Sequence, residues 1–255
     1  MKIKIGPSGL GPIKTAREIL ESYKKSGIKL CEVGFTRSIY MKKDDALKIG
    51  KIAKELGIEL SIHAPYYVNL NSEELEKVEA SKKRILKCCE LGDYLGARNI
   101  VFHPGYYGKD KENTFANVKM RIIEMLEEVK KNKWKVRLCP ETMGKINVFG
   151  SPEEISQLVK ETGCGFCIDF AHILAREKKV DFEKIKKLFP QEEWHCHFSG
   201  IEYGEKGEKH HEDLEKKDWE NLFEKLPKNK KINIVCESPS RIENSIEGIR
   251  ILEKS

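Results

Sequence analysis

The chain has 255 residues, of which 39% are hydrophobic and 35% are charged, and its formal net charge is +6 at pH 7. It contains no run of about 18 apolar residues, which excludes a membrane-spanning helix. The N-terminus has no signal-peptide pattern, so we expect a cytoplasmic protein without a membrane partner. The positive charge is compatible with a polyanionic partner but does not identify one.

Short apolar runs alternate with amphipathic segments along the whole chain. Helix signals separate the runs: Gly57 closes one segment, and Ser151-Pro-Glu-Glu opens another with proline at the first helical position. The predicted strands are residues 2–5, 30–35, 59–63, 99–103, 136–141, 165–170, 194–198 and 232–237. The predicted helices cover residues 15–26, 44–56, 72–95, 114–131, a segment from 151, then 182–188, 218–225 and 245–253. Eight such repeats predict an α/β fold, a (β/α)₈ TIM barrel forming a single domain over residues 1–255.

Histidines and carboxylates lie where the predicted strands end. The carboxyl ends of the strands in this barrel meet at one mouth, where active sites lie, so these side chains should converge. Five of the seven histidines lie at or just after strand ends. Imidazole and carboxylate ligands suit Zn²⁺ or Mn²⁺, so the pattern predicts one polynuclear metal site. The strand-end residues are His63, His103, Glu141, Asp169, His197 and Glu237, and His172 follows Asp169 by three positions.

The eight cysteines are expected to be free, buried thiols, because four of them fall inside predicted strands. Cys164 and Cys167 form a C-x-x-C pair, but no second pair exists to complete a four-cysteine zinc site. His195 lies two positions before His197 and should also point into the barrel, where we expect a hydrogen-bonded core histidine. No G-x-G-x-x-G or P-loop pattern supports a nucleotide cofactor.

Five ordered stretches carry a family resemblance that runs from about residue 3 to residue 250. They are Ser61-Ile-His63-Ala-Pro-Tyr66-Tyr-Val-Asn69-Leu, Val101-Phe-His103-Pro-Gly105, Glu141-Thr-Met-Gly144, Ile168-Asp169-Phe-Ala-His172 and Lys209-His210-His211. Together they resemble endonuclease IV, a family of trinuclear-zinc AP endonucleases on a xylose-isomerase-like TIM barrel. The resemblance implies a monomeric DNA-repair enzyme that cuts double-stranded DNA 5′ to abasic sites and leaves a 3′-hydroxyl.

The resemblance also implies three zinc ions per chain, with Mn²⁺ possible at one of the sites. Closely spaced metal ions can activate a water molecule and stabilise both oxygens of a phosphodiester. Glu141 and Glu237 would be the catalytic carboxylates. The implied ligand sets are His63, His103 and Glu141; then Glu141, Asp169, His197 and Glu237; and finally His172, Glu208 and His210.

The resemblance implies DNA contacts as well, from Tyr66 and Tyr67 as minor-groove wedges and from Arg37 after the second strand. The third ligand set departs from the family pattern. Glu208 replaces the usual aspartate, Ser199 stands where an acidic residue often lies, and the segment before His210 is shorter than in bacterial enzymes. His210 and His211 could therefore exchange roles.

Two other functions are compatible with parts of the sequence. A sugar isomerase or epimerase on the same barrel would need a single metal, held by Glu141, Asp169, His197 and Glu237. The additional histidines at positions 63, 103, 172 and 210 have no role in that reaction, and they favour the nuclease. A non-catalytic nucleic-acid-binding protein would not need a complete ligand set.

Overall fold

The computed structural model describes residues 2–108 and 111–254, and the backbone only of residue 112. Parallel strands and helices alternate through this part of the chain. The strands are β1 (Lys2–Pro7), β2 (Leu30–Gly34), β3 (Glu59–His63), β4 (Asn99–Phe102), β5 (Arg137–Pro140), β6 (Ile168–Asp169), β7 (Glu193–Phe198), β8 (Gly200–Gly204), β9 (Gly207–Glu212) and β10 (Lys231–Cys236). The helices are α1 (Ala16–Lys25), α2 (Lys43–Leu56), α3 (Leu75–Leu95), α4 (Lys111–Lys131), α5 (Pro152–Thr162), α6 (Phe170–Glu177), α7 (Phe182–Leu188), α8 (Lys216–Lys225) and α9 (Arg241–Leu252).

Eight of these strands close into the predicted barrel. Two parallel sheets, in the orders β1-β10-β7-β6 and β2-β3-β4-β5, supply its two halves. A bridge between Ser8 and Glu32 joins β1 to β2, and a bridge between Glu141 and Cys167 joins β5 to β6. The apolar faces of the helices pack on the outside of the sheet, so the main core lies between strands and helices. The predicted fold class is therefore confirmed.

Helix α6 is an element that the sequence reading missed. The observed strand is shorter than the one predicted over residues 165–170. β6 contains only Ile168 and Asp169, and the helix begins directly at Phe170. Asp169 causes the early helix start: its Oδ1 accepts a hydrogen bond of 2.7 Å from the backbone N–H of His172. His172 thus lies in the first turn of a helix, with its side chain buried at the barrel mouth.

The second missed element is the antiparallel hairpin of β8 and β9, which follows β7 where a simple barrel would have a loop. Gly207 anchors its turn to the loop after β5 through a bridge with Lys145. A Cβ atom at Gly207 would lie 2.1 Å from the carbonyl oxygen of Gly144, and its φ is +97°, so only glycine fits there. The hairpin therefore folds over the barrel mouth.

All eight cysteines are buried and form no disulfide. None of the described helices is long and apolar enough to cross a bilayer.

Candidate metal centre

The first group of candidate ligands comprises His63, His103 and Glu141 at neighbouring strand ends. The Nε2 atoms of His63 and His103 lie 3.2 and 3.1 Å from Glu141 Oε2. His63 Nδ1 is 2.8 Å from the carbonyl oxygen of Ala64. Because a carbonyl can only accept, His63 donates from Nδ1, and its Nε2 is the nitrogen available to a metal ion.

The second group shares Glu141 and adds Asp169, His197 and Glu237. His197 Nδ1 lies 2.9 Å from Glu141 Oε1, 3.5 Å from Glu237 Oε2 and 4.0 Å from Asp169 Oδ2. Glu141, Asp169 and His197 are fully buried, whereas the side chain of Glu237 keeps 18% exposure at the edge of the group. Asp169 Oδ2 is buried without a hydrogen-bond partner among the described residues, which is costly unless a cation occupies the position beside it.

The third group comprises His172, Glu208 and His211. His172 Nδ1 donates to the carbonyl oxygen of Thr142 at 2.9 Å, which leaves Nε2 facing Glu208 Oε2 at 3.5 Å. His211 Nε2 lies 4.0 Å from Glu208 Oε1, and the Nδ1 of His211 is hydrogen-bonded to Ser199 Oγ at 2.7 Å. Ser199 thus orients His211 from the position where the resembled family often has an acidic residue.

The structure brings His211 to this group and places His210 elsewhere. The pairing of β8 with β9 shifts by one residue, since His210 pairs with Glu202 but Glu208 pairs with Tyr203. The extra residue is Lys209, and such a bulge reverses the face to which the next side chains point. Glu208 and His211 therefore share the inner face. His210 lies on the outer face, where its Nε2 is 3.3 Å from Glu202 Oε2 and its side chain is 61% exposed.

Charges inside the centre raise the pKa values of His63 and His172 and lower the pKa of Glu237. Burial by itself lowers the pKa of His63, but the hydrogen bond and charge of Glu141 outweigh it and raise the pKa to about 9. For His172 burial is likewise outweighed, mainly by Asp169, and the pKa is about 9. Burial by itself raises the pKa of Glu237, but His197 outweighs it and lowers the pKa to about 2. Glu237 is therefore an anion at neutral pH.

The three groups can hold divalent metal ions. Within each group the imidazole nitrogens and carboxylate oxygens lie within 4.8 Å of one another, close enough to share a cation. The tautomers of His63 and His172 are set by backbone carbonyls, and the buried Asp169 Oδ2 has no hydrogen-bond partner among the described residues, so the donor atoms fit a metal ion. Nitrogen and oxygen donors of this kind suit Zn²⁺ or Mn²⁺.

A cleft of about 340 Å³ opens beside the first two groups, and His63, Tyr66 and Glu237 are part of its wall. The ring of Tyr66 lies 5.2 Å from that of His103 and 5.8 Å from that of His63, yet the residue remains 57% exposed. Tyr67 is 65% exposed. Arg37 is exposed on the segment after β2. The predicted DNA-contact residues thus lie on the outer surface around the mouth.

The sequence reading missed Glu32, a fully buried carboxylate in the middle of β2. It contacts His195 and His197 from below the metal groups. The sequence does contain a sign of this residue, because a single acid interrupts the otherwise apolar run Leu30-Cys-Glu-Val. His195 is buried and its Nε2 lies 3.2 Å from Glu32 Oε2.

Fold and site together define a (β/α)₈ barrel with grouped candidate metal ligands at the carboxyl ends of its strands. The chain belongs to the xylose isomerase-like TIM barrel family, whose model matches residues 20–255. An uncharacterized protein of Methanocaldococcus jannaschii is 36% identical over 253 residues, which cover 92% of this chain and 91% of that protein. A probable endonuclease 4 of Thermoplasma volcanium is 29% identical over 137 residues, 52% of this chain and 47% of its own length.

Solved structures share the fold at low sequence identity. Endonuclease IV from Thermus thermophilus superposes with a TM-score of 0.73 and 20% identity, covering 99% of this chain and 100% of that one. A D-tagatose 3-epimerase-like protein gives a TM-score of 0.71 and 19% identity, with 98% and 96% covered. The predicted resemblance is confirmed: the family model and the endonuclease 4 relative match the sequence, and the endonuclease IV structure shares the fold. The match to the endonuclease 4 relative spans about half of either chain.

Proposed function

We propose that this protein is a metal-dependent endonuclease that hydrolyses the phosphodiester 5′ to abasic sites in double-stranded DNA, in base excision repair. The observation that carries the proposal is the joining of three ligand groups into one centre. Glu141 belongs to the first two groups, and its Oε1 lies 3.5 Å from Nδ1 of His172, the ring nitrogen that donates to Thr142, so the third group directly adjoins the other two. A centre of this extent suits a phosphodiester, whose attacking and leaving oxygens both need stabilisation.

The ligands in this proposal are those predicted from the sequence, with His211 taking the place of His210. The proposed ions are Zn²⁺, with Mn²⁺ possible at one position. When bound, such ions supply Lewis acidity and lower the pKa of a water molecule. Glu237 lies at the open edge of the centre, beside the cleft, and is ionised at neutral pH, so it can orient an incoming water molecule. Glu141 is buried and belongs to both of the first two groups, so it keeps them in a fixed position relative to each other.

The surface residues supply the DNA contacts in the same proposal. Tyr66 and Tyr67 are exposed aromatic side chains that follow His63 closely, where they can enter the minor groove and support nucleotide flipping. Arg37 can contact a phosphate. The probable endonuclease 4 that matches half of the chain and the endonuclease IV structure that shares its fold support the proposal. We further propose that the protein acts as a monomer in the cytoplasm.

The first test is nicking of an end-labelled duplex that carries one synthetic abasic site. Wild type should cut 5′ to the lesion, and Glu237→Gln should lose that cleavage while keeping its fold. Glu202→Gln is the matched control, because Glu202 lies on the outer face of the hairpin. Elemental analysis of each preparation reports the metal content. An inactive wild type with about one metal ion per chain would contradict the proposal.

A sugar epimerase or isomerase is the second candidate function. The group of Glu141, Asp169, His197 and Glu237 by itself resembles a one-metal site, and an epimerase-like protein shares the fold at a similar TM-score. The two candidates differ in their need for the other groups. Replacing His103 with alanine should abolish nuclease activity but spare turnover of a ketose, which is measured by following epimer formation.

A further inference from the structure

Glu32 is a buried carboxylate that lies outside all three ligand groups. It is 0% exposed and sits in the barrel interior, one layer below the metal centre. Removing a carboxylate from water costs several kcal/mol unless charged or polar partners offset it. Its partners therefore indicate what it does.

The two oxygens of Glu32 have different partners. Oε2 accepts a hydrogen bond from Ser61 Oγ at 2.8 Å and lies 3.2 Å from His195 Nε2. Oε1 lies 3.1 Å from Nε2 of His197, an ion-pair contact that is not aligned as a hydrogen bond, and among the described residues neither atom has any other hydrogen-bond partner. Ser61 and His195 thus fix the carboxylate from one side and leave Oε1 for His197.

His197 is the histidine that connects this layer to the metal centre. Its Nδ1 faces Glu141, Glu237 and Asp169, whereas its Nε2 faces Glu32. A histidine ligand needs a lone pair on the nitrogen that binds the metal, so its proton must be on the other nitrogen. A carboxylate beside that second nitrogen fixes the tautomer and raises the basicity of the ligand.

We propose that Glu32 is a positioning residue that keeps the proton of His197 on Nε2 and so presents Nδ1 to the metal ion of the second group. The inference rests on the metal centre of the proposed function but not on its substrate. In this proposal Ser61 and His195 hold the Glu32 carboxylate in place and do not bind the metal ion. With a metal ion bound, Glu32, His197 and the ion would form an acid–histidine–metal arrangement that begins on β2, a strand that carries none of the proposed ligands.

Zinc binding without DNA tests this inference separately from the nuclease activity. Competition with a chelator should show that Glu32→Gln weakens one zinc site by about 10- to 100-fold, with Glu32→Asp recovering part of the loss. Glu193→Gln is the matched control, since Glu193 is on the same strand as His197 but pairs with Arg98 at the other end of the barrel. An unchanged zinc affinity in Glu32→Gln would overturn the inference.

Proton–nitrogen NMR of the zinc-loaded wild type gives a readout that a merely structural role would not move. We expect His197 to be bound through Nδ1 and to carry a downfield Nε2 proton, which shifts upfield in Glu32→Gln. If that variant does not fold, Ser61→Ala should give a smaller shift in the same direction. Zinc bound through Nε2 of His197 in the wild type contradicts the proposal outright. A wild type that binds zinc but does not nick DNA leaves this inference standing and rejects only the proposed substrate.

Discussion

The two parts of the candidate metal centre are built on different supports. The first two ligand groups lie on strand ends of the barrel, and their central residues Glu141, Asp169 and His197 are completely buried. The third group takes Glu208 and His211 from the hairpin, where their side chains keep 18% and 24% exposure. Strand-end ligands are fixed by the hydrogen-bonded sheet, whereas the hairpin ligands depend on one bulge and on the Gly207 contact. The hairpin group should therefore be the weaker and more adjustable part.

The largest effect is expected for Glu141→Gln, because Glu141 belongs to both strand-end groups. The variant should lose the metal ions of both groups and reduce nicking by at least about 10³-fold. Metal content by elemental analysis and single-turnover cleavage measure the two effects. Retention of full metal content would show that the strand-end groups do not depend on a shared carboxylate.

The pH dependence of zinc binding should be the next largest effect, and it should appear in both parts of the centre. His63 and His172 have pKa values of about 9 without metal, so each must lose a proton when zinc binds at lower pH. The apparent affinity should therefore rise about tenfold per pH unit for each group up to about pH 9. Chelator competition across this range measures the slope. A flat profile would contradict the role of both histidines.

The same two histidines should give the metal-free protein the opposite trend in stability. Their pKa values are raised on folding, so their contribution is fully present below the unfolded value of about 6.5. It is lost as the pH rises through about 9. Urea unfolding of chelator-treated protein at several pH values should therefore show decreasing stability across this window, and zinc-loaded protein should not follow it.

Two hairpin variants test whether His210 or His211 binds zinc in the third group, a choice that the sequence left open. His211→Ala should weaken zinc binding at the third group by about 10- to 100-fold, whereas His210→Ala should leave it near the wild-type value. The bulge at Lys209 is the physical reason, because it turns His211 inward and His210 outward. The reverse result in the same chelator titration would place the bulge elsewhere.

The smallest effect is expected at the surface tyrosines, which lie outside both parts of the centre. Tyr67→Ala should remove about 1 kcal/mol of DNA binding, or roughly a fivefold increase in KM, with zinc content unchanged. Tyr67→Phe keeps the ring and should stay close to wild type. Fluorescence anisotropy with abasic and intact duplexes measures the difference, and equal losses on both duplexes would argue against a role in lesion recognition.

The sequence by itself determined the barrel and the grouping of most of the candidate ligands. Strand length and helical periodicity are local properties, and parallel strands in a barrel must present their ends at one mouth. The candidate ligands at the strand ends could therefore be grouped from the sequence, and they are His63, His103, Glu141, Asp169, His197 and Glu237. Their grouping needed only the order of the strands.

Only the tertiary structure decided the remaining features. The choice of His211 depends on a one-residue bulge in a hairpin whose pairing the sequence did not reveal. The role proposed for Glu32 depends on contacts with Ser61 on the neighbouring β3 and with His195 and His197 on β7, and His195 lies 163 residues further along the chain. Such contacts are set by register and by side-chain direction across the barrel, and a linear pattern of residues does not contain this information.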